Sequence, residues 1–383
     1  MGYRQVIADS FREKFHEEPL MFRSPGRVNL IGEHTDYNNG FVLPAAIDKA
    51  VYVGITKRTD NKFHWFAYDL DDSYEGSAEA VVHSDKGWPN YLLGVVDQLQ
   101  KAGYKVGGFN VVIGGDVPNG AGMSSSAAIE CATIFALNEI FGFGIDKITM
   151  VKKAQKAEHV FAGVMCGIMD QFASMMGKKG HVIKLDCRSL EYEYVPFHFD
   201  DIEIVLFDTK VKHSLASSEY NTRRQECEKG VAIIKEHHPE VESLRDANIE
   251  MVEKYLQGTG KVYDRCKYVV EEIKRLQDAC EDLKHDNLEA FGQKMFATHE
   301  GLSKLYEVSC AELDFLADCA KEEPAILGAR MMGGGFGGCT INLVKKEDAE
   351  GVIKRISQKY KERFGIETEV YRTVASDGAE KLF

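Results

Sequence analysis

Two stretches of the chain concentrate groups that bind and move charge. The first is Arg23-Ser-Pro-Gly-Arg-Val-Asn-Leu-Ile-Gly-Glu-His-Thr-Asp-Tyr-Asn-Asn-Gly40, which sets Arg27, Asn29, Glu33, His34, Asp36, Tyr37 and Asn38 between glycines and a proline. Few purely structural loops carry so many different hydrogen-bonding groups. Carboxylates such as Glu33 and Asp36 accept from the vicinal hydroxyls of a sugar, and His34 both donates and accepts. The competing reading is a solvated turn, because Asn, Asp and Gly favour turns in any case.

The second stretch is Gly114-Gly-Asp-Val-Pro-Asn-Gly-Ala-Gly-Met-Ser-Ser-Ser-Ala-Ala128. The apolar run Phe109 to Ile113 leads in, and a helix-forming run, Ala127 to Phe141, leads out. A strand, then glycines, then serines, then a helix is how a chain builds an anion pocket. Glycine lets backbone N–H groups approach a phosphate closely. The helix start adds unpaired N–H groups and a partial positive charge. Serines there cap the helix, ligate a cation, or do both. Two better-known phosphate loops do not fit. No lysine lies between Gly114 and Ala128, and Ser125 stands where the dinucleotide fingerprint needs its third glycine. A plain turn before a helix is the alternative.

The chain has 383 residues, room for roughly two or three domains. Its 60 acidic residues outnumber 47 basic ones, a net charge of −13. That balance argues against broad nucleic-acid or anionic-membrane binding and leaves room only for a local basic pocket. Nine cysteines are scattered from Cys131 to Cys339 without a C-x-x-C pair, so neither a disulfide framework nor a cysteine zinc site is expected. Reduced thiols fit the cytosol. The opening Met-Gly-Tyr-Arg-Gln lacks the apolar core of a signal peptide, and no run reaches the roughly 18 apolar residues of a membrane helix. The expectation is a cytoplasmic monomer with neither nucleic-acid nor membrane partners.

Hydrophobic spacing supplies the elements that must hold these stretches. In the first half, helices are expected at Val6 to Phe15, Trp88 to Leu99, Ala127 to Phe141, Ile148 to Phe161 and, briefly, Asp170 to Met176. Strands are expected at Gly26 to Gly32, Phe41 to Ile47, Val51 to Thr56, Phe63 to Tyr68, Phe109 to Ile113, His181 to Leu185 and Ile202 to Phe207, and the acidic segment Asp69 to Asp85 reads as a loop. The Ala127 to Phe141 helix is apolar nearly all round, so it should be buried with its N-terminus aimed into the protein. Charged and aromatic residues mix over Arg188 to Asp201, which places a domain boundary near residue 190, between 1–190 and 191–383. The second half is helix-rich: Leu215 to His237, Met251 to Leu256, Lys267 to Leu283, Leu288 to His299, Ala311 to Lys321 and Ala349 to Phe364. Strands follow at Ile326 to Met331 and Cys339 to Val344, with an extended run at Glu367 to Thr373. Strands interspersed with helices, without regular βαβ alternation, indicate an α+β class. Gly333 to Gly338 formally matches G-x-G-x-x-G, but a strand follows it instead of a helix, so a tight packing loop is expected there.

Gly26-Arg-Val-Asn-Leu-Ile-Gly-Glu-His-Thr-Asp-Tyr-Asn38 closely resembles the galactokinase signature. Pro118-Asn-Gly-Ala-Gly-Met-Ser-Ser-Ser-Ala-Ala128 resembles the phosphate loop of the wider GHMP superfamily of small-molecule kinases, and Gly333-Gly-Gly-Phe-Gly-Gly-Cys339 resembles its third motif. The three occur in the family order and span nearly the whole chain, so their coincidence is specific where each alone is weak. The resemblance implies a two-domain GHMP kinase. Its N-terminal sugar- and ATP-binding domain would be like the second domain of ribosomal protein S5. Its C-terminal domain would be ferredoxin-like with extra helices, the chain end crossing back to the first domain. The resemblance further implies transfer of the ATP γ-phosphate to the C1 hydroxyl of α-D-galactose, with Mg²⁺, as the first committed step of galactose utilisation.

Carried over residue by residue, the resemblance puts the catalytic aspartate at Asp170, within Gly167-Ile-Met-Asp-Gln171. Arg27 matches the arginine that holds this aspartate ionised and stabilises the transition state. Glu33, His34, Thr35 and Asp36 match sugar-contacting positions, as does Tyr220 within Ser217-Ser-Glu-Tyr-Asn-Thr-Arg-Arg224. Gly120, Ala121, Gly122, Met123, Ser124, Ser125 and Ser126 match the ATP-holding loop, and Ser126 with Glu158 match the magnesium positions. Phosphoryl transfer needs an in-line hydroxyl, a metal on the phosphates and compensation for equatorial charge, which gives the assignments independent sense. Met123 stands where leucine is common, a tolerable swap for an apolar wedge. Adenine is less well marked: the aromatic strand with Trp65, Phe66 and Tyr68 either borders a base or fills a core. Arg223 and Arg224 read as a solvated helix face. Two other readings stay open, an N-acetylgalactosamine or other sugar kinase and a galactose sensor without catalysis. The intact Glu33-His-Thr-Asp-Tyr-Asn38 favours plain galactose, and the complete Ser124-Ser-Ser-Ala-Ala128 with Asp170 speaks against a sensor.

Overall fold

The computed structural model describes residues 2–197, 199–212 and 216–382. In chain order the first half forms α1 (Tyr3–Phe15), β1 (Leu20–Asn29), β2 (Phe41–Val42), β3 (Pro44–Lys57), β4 (Lys62–Ala67), β5 (Asp72–Ser77), α2 (Pro89–Lys101), β6 (Phe109–Gly115), α3 (Ser125–Phe141), α4 (Lys147–Ala157), α5 (Met169–Met176), β7 (His181–Asp186) and β8 (Tyr192–Pro196). The second half forms β9 (Ile202–Lys212), α6 (Ala216–Lys235), α7 (Ile249–Tyr255), α8 (Lys261–Lys284), α9 (Leu288–Lys304), α10 (Ala311–Lys321), β10 (Ile326–Met331), β11 (Gly337–Lys345), α11 (Ala349–Phe364), β12 (Glu369–Thr373) and β13 (Glu380–Leu382). Leu215, the expected first residue of α6, lies outside the described residues.

Six strands form one sheet in the order β13-β1-β3-β6-β4-β5, antiparallel except where β4 runs beside β6. Successive side chains of a strand go to opposite faces. Phe66 and Val112 accordingly lie under α1, against Ile7, Ala8 and Phe11. Phe63, Trp65, Val111 and Ile113 face the other way, into the core shared with α2, α3, α4 and α5. The C-terminal strand β13 lies at the edge of this sheet, Leu382 opposite Met21. A second, antiparallel sheet has the order β10-β11-β9-β12, and a third the order β2-β7-β8. Residue 190 falls inside the β7–β8 hairpin. The main buried cluster runs through both halves, from Val28 and Ile113 to Leu276, Met295 and Ile341.

Helix α3 is buried over most of its surface, with Glu139 exposed near its end, and stops at Gly142 in the left-handed region (φ 68°), whose N–H caps the Asn138 carbonyl. Several boundaries differ from the sequence reading for physical reasons. The reading divides β3 at Asp48-Lys49, but the strand runs through. Asp48 accepts from the Thr373 hydroxyl (2.5 Å) and Lys49 reaches Asp116 (3.7 Å), so this polar pair is satisfied without a turn. The segment read as an acidic loop contains β5, an edge strand that sets Tyr74 opposite Trp65, exposes Glu75 and lets Asp72 accept from Lys86 and the Trp88 indole. Among the described residues no helix is long and apolar enough to cross a membrane. All nine cysteines are free thiols.

Candidate active site

Strand β1 carries a bulge between Pro25 and Arg27, a device that re-aims a side chain. Gly26 has no room for a Cβ, which would lie 2.7 Å from the Met123 carbonyl. This close approach brings the glycine-serine loop against β1, and the Arg27 N–H bonds Met123 O at 3.1 Å. The Arg27 guanidinium grips Asp170 in a bidentate pair, Nε to Oδ1 and Nη2 to Oδ2, both at 2.8 Å. Nη1 donates to the Gly122 carbonyl at 2.5 Å, tying the pair to the loop. Burial opposes the charge on Arg27, but Asp170 and Glu33 outweigh it and raise its pKa, so the guanidinium stays charged. Ser124 sits at the N-cap position of α3 but in the left-handed region (φ 57°), without a side-chain cap. Its hydroxyl donates instead to Asp170 Oδ2, so at this serine the expected capping role gives way to a contact with the aspartate.

Opposite this pair stands the wall built from the first motif. Glu33 Oε1 accepts from Arg330 Nη1 (3.1 Å), Arg330 Nη2 (3.2 Å) and the Gly333 N–H (2.8 Å). His34 is left-handed (φ 63°). Its Nδ1 meets the Tyr37 hydroxyl at 2.7 Å, and Tyr37 continues to the Tyr306 hydroxyl at 2.8 Å. Burial first, then the Arg223 charge, hold the His34 pKa down to about 3, so the ring is neutral. Burial, with Asp170 adding to it, pushes the Asp36 carboxyl up to about 7. Gly167 makes room for that carboxyl, since a Cβ there would fall 1.7 Å from Asp36 Oδ2. The Tyr220 ring lies 5.3 Å from His34 and 5.4 Å from Tyr37, centre to centre. Arg27, Glu33, His34, Asp36, Asp170 and Tyr220 thus line one cavity of about 180 Å³, which Cys166, Gly333 and Gly334 help to close. Thr35 is not among its walls. Its hydroxyl is buried against the carbonyls of Gly32 (2.9 Å) and Phe41 (2.5 Å), so it braces the turn, a correction to the expected sugar contact.

A second, more apolar cavity is lined by Leu70, Trp88, Leu92, Gly114, Asn119 and Ser125. Adjacent serines at the start of α3 therefore serve different places: Ser124 bonds Asp170 in the wall of the first cavity, and Ser125 lines the second. The aromatic strand borders the second cavity through Ala67, but its aromatic side chains line neither. Trp65 is buried and stacked on Phe63 (4.8 Å) and Phe109 (5.3 Å), and Phe66 lies under α1. The Gly333 to Gly338 loop is a tight packing loop as expected, and its partner is the glycine-serine loop, a Cβ on Gly333 being 3.4 Å from the Gly122 carbonyl. Beyond packing, its Gly333 N–H holds Glu33 and Gly334 lines the first cavity.

Glu158 does not continue α4, as expected from the spacing, but opens a π-helical turn, Glu158–Ala162. Such turns re-aim a side chain and are frequent at functional sites. The carboxylate is buried. Its Oε2 accepts from Gln171 Nε2 at 2.6 Å and lies 3.4 Å from Cys166 Sγ, and the nearby Ser126 hydroxyl works to lower its pKa. Burial, then Asp170, raise its pKa against these bonds. One hydroxyl and one carboxylate, both hard oxygen donors in a site with surplus negative charge, fit Mg²⁺. Among the described residues no cluster of three or more His, Cys, Asp or Glu side chains has metal-holding geometry. A two-donor set suits an ion that keeps several waters and takes phosphate oxygens.

Four residues of this neighbourhood lie outside the assigned site. Arg330 is fully buried and holds Glu33. Arg223 is buried too, its Nε on the Tyr306 carbonyl (2.8 Å) and Nη2 on the Glu307 carbonyl (2.8 Å), not on a solvated face. Glu130 and Gln171 are fully buried beside Glu158. Burial, with Glu158 adding to it, pushes the Glu130 carboxyl well above the usual range. The signal for Glu130 and Arg330 is a lone charge inside an apolar run, on α3 and β10 respectively.

Comparison with known proteins completes the picture. The galactokinase galactose-binding signature matches residues 9–57, the N-terminal domain of GHMP kinases matches 90–178, and the GHMP kinase C-terminal family matches 279–362. The chain is 42% identical to the galactokinase of Thermosipho africanus over 363 residues, 95% of this chain and 100% of that one. It is 41% identical to the galactokinase of Fusobacterium nucleatum over 385 residues, covering 98% and 99% of the two. Its structure is similar to that of Lactococcus lactis galactokinase complexed with galactose, with a TM-score of 0.95 at 34% identity over 99% of both chains.

Proposed function

The chain belongs to the galactokinase family of GHMP kinases, and from that we propose that it transfers the γ-phosphate of ATP to the C1 hydroxyl of α-D-galactose, giving galactose 1-phosphate and ADP. The observation that carries this reading is the Arg27–Asp170 pair, set between a hydroxyl-binding wall and the start of α3.

Galactose occupies the cavity of about 180 Å³, its hydroxyls toward Glu33, His34, Asp36 and Tyr220. Asp170, fixed by Arg27 and Ser124, orients the C1 hydroxyl and takes its proton. The oxygen so released forms a bond to the γ-phosphorus as the bond to the departing ADP oxygen breaks. Arg27 offsets the charge that develops on the transferred group, the need that dominates phosphoryl transfer. The glycine loop and the first N–H groups of α3 hold phosphate oxygens. The apolar cavity beside Leu70 and Trp88 takes the nucleoside end of ATP, which its chemistry and its border with Ser125 support. Ser126 and Glu158 would hold Mg²⁺, which when bound would neutralise the phosphate charge. Nine free thiols support a reducing compartment, and the chain acts as a cytoplasmic monomer.

Coupled ADP release with galactose, N-acetylgalactosamine, glucose and mevalonate tests the proposal. Turnover with galactose well above the others is expected. No turnover with any of them, alongside measurable galactose binding, would leave the sensor reading in its place.

A further inference from the structure

Glu130 stands one helical turn after Ser126 on α3, so the two share a face. Its Oε2 accepts from Gln171 Nε2 at 3.1 Å, and the same nitrogen donates to Glu158 Oε2 at 2.6 Å. An amide nitrogen carries two hydrogens, so the two bonds use both. Gln171 directly follows Asp170 on α5, and its carbonyl accepts from the thiol of Cys131 (3.4 Å), the neighbour of Glu130. One amide thus joins α3, the helix of Asp170 and the π-helical turn of Glu158. As a stabilising device the arrangement is poor. Glu130 Oε1 and Gln171 Oε1 are both buried without partners among the described residues, and an apolar pair would avoid that penalty.

We propose that Glu130 is a positioning residue: through Gln171 it holds the Glu158 carboxylate beside Ser126, fixing the oxygen pair that receives the divalent cation. The proposal rests on the reading of Glu158 as a metal ligand. Partners that orient metal ligands are worth about 10–100-fold in metal affinity, which sets the size of the expected effect.

The test uses three variants of the full chain. Glu130→Met keeps length and apolar fit but denies Gln171 its acceptor, Glu130→Gln keeps an acceptor oxygen, and Gln171→Leu breaks the bridge from its other side. Calorimetry measures binding of a non-hydrolysable ATP analogue with and without Mg²⁺, and of galactose. In Glu130→Met and Gln171→Leu the gain in nucleotide affinity on adding Mg²⁺ should fall at least about tenfold. Galactose affinity and metal-free nucleotide affinity should hold, and Glu130→Gln should keep all three. If Glu130→Met does not fold, Gln171→Leu carries the test. An undiminished Mg²⁺ gain in either variant overturns the proposal, as does an equal loss of galactose and metal-free nucleotide binding, the mark of a merely structural role. Glu158→Gln separates the two levels. If it leaves the Mg²⁺ gain intact, the metal reading itself fails. If it abolishes the gain while Glu130→Met does not, only the bridge fails.

Discussion

Replacing Arg330 by methionine should destabilise the protein and loosen its hold on galactose together. Arg330 is fully buried and Glu33 nearly so, a pair out of reach of solvent screening. The guanidinium donates to Glu33 Oε1 through both Nη atoms and also to the carbonyls of Leu30 (2.8 Å), Met331 (2.7 Å) and Asn29. In Arg330→Met, Glu33 keeps the Gly333 N–H, while its charge loses its cation. Removing one partner of a buried ion pair destabilises by about 3–5 kcal/mol, because the other charge is left uncompensated. The carbonyls that lose a donor act in the same direction. The effect is therefore chiefly an orphaned charge, and adding Glu33→Gln should restore part of the stability lost. Urea unfolding followed by circular dichroism gives both numbers, and calorimetry gives galactose affinity. An Arg330→Met protein as stable as the native chain would refute the reasoning, and so would a double variant no more stable than Arg330→Met alone.

Asp170→Asn should lower kcat by about 10²–10⁴-fold, the usual span for a general base, with galactose binding retained; near-native kcat would remove Asp170 from its role. Galactose affinity should rise as pH rises through about 7, where burial has pushed the Asp36 carboxyl, because the ionised form accepts stronger hydrogen bonds from sugar hydroxyls. Calorimetric titrations on either side of that pH should show this slope in the native chain and a flat profile in Asp36→Asn. Gly167→Ala is tolerated by the backbone, which is not left-handed there, but its methyl group collides with Asp36 Oδ2. Displacing that carboxyl by about 1 Å should cut kcat/KM roughly 10²-fold with the fold intact, which steady-state kinetics beside a thermal melt would register.

The parts of this structure legible in the sequence are those set by local periodicity. Ala349 to Phe364 and Ile326 to Met331 begin and end where apolar spacing puts them. The burial of α3 follows from a helix apolar nearly all round. The resemblance to galactokinases, carried over residue by residue, gathered Arg27, Glu33, His34, Asp36, Asp170 and Tyr220 into one set, and they line one cavity. What escaped depends on distant partners. Thr35 turns from the cavity because the carbonyls of Gly32 and Phe41 converge on it. Arg223 is buried because the carbonyls of Tyr306 and Glu307 come to meet it from another segment. The aim of Glu158 comes from a π-helical turn that has no periodic signature. Glu130 and Arg330 did leave a trace, each a single charge in an apolar run, but the trace names no partner.

Phosphorus NMR of the product formed from galactose and ATP asks most directly whether the C1 hydroxyl lies against Asp170. Transfer at that position yields a sugar phosphate whose phosphorus couples to the anomeric proton, with one ADP formed for each ester. Phosphorus coupled to the C6 methylene protons, or free phosphate without a sugar ester, would contradict it.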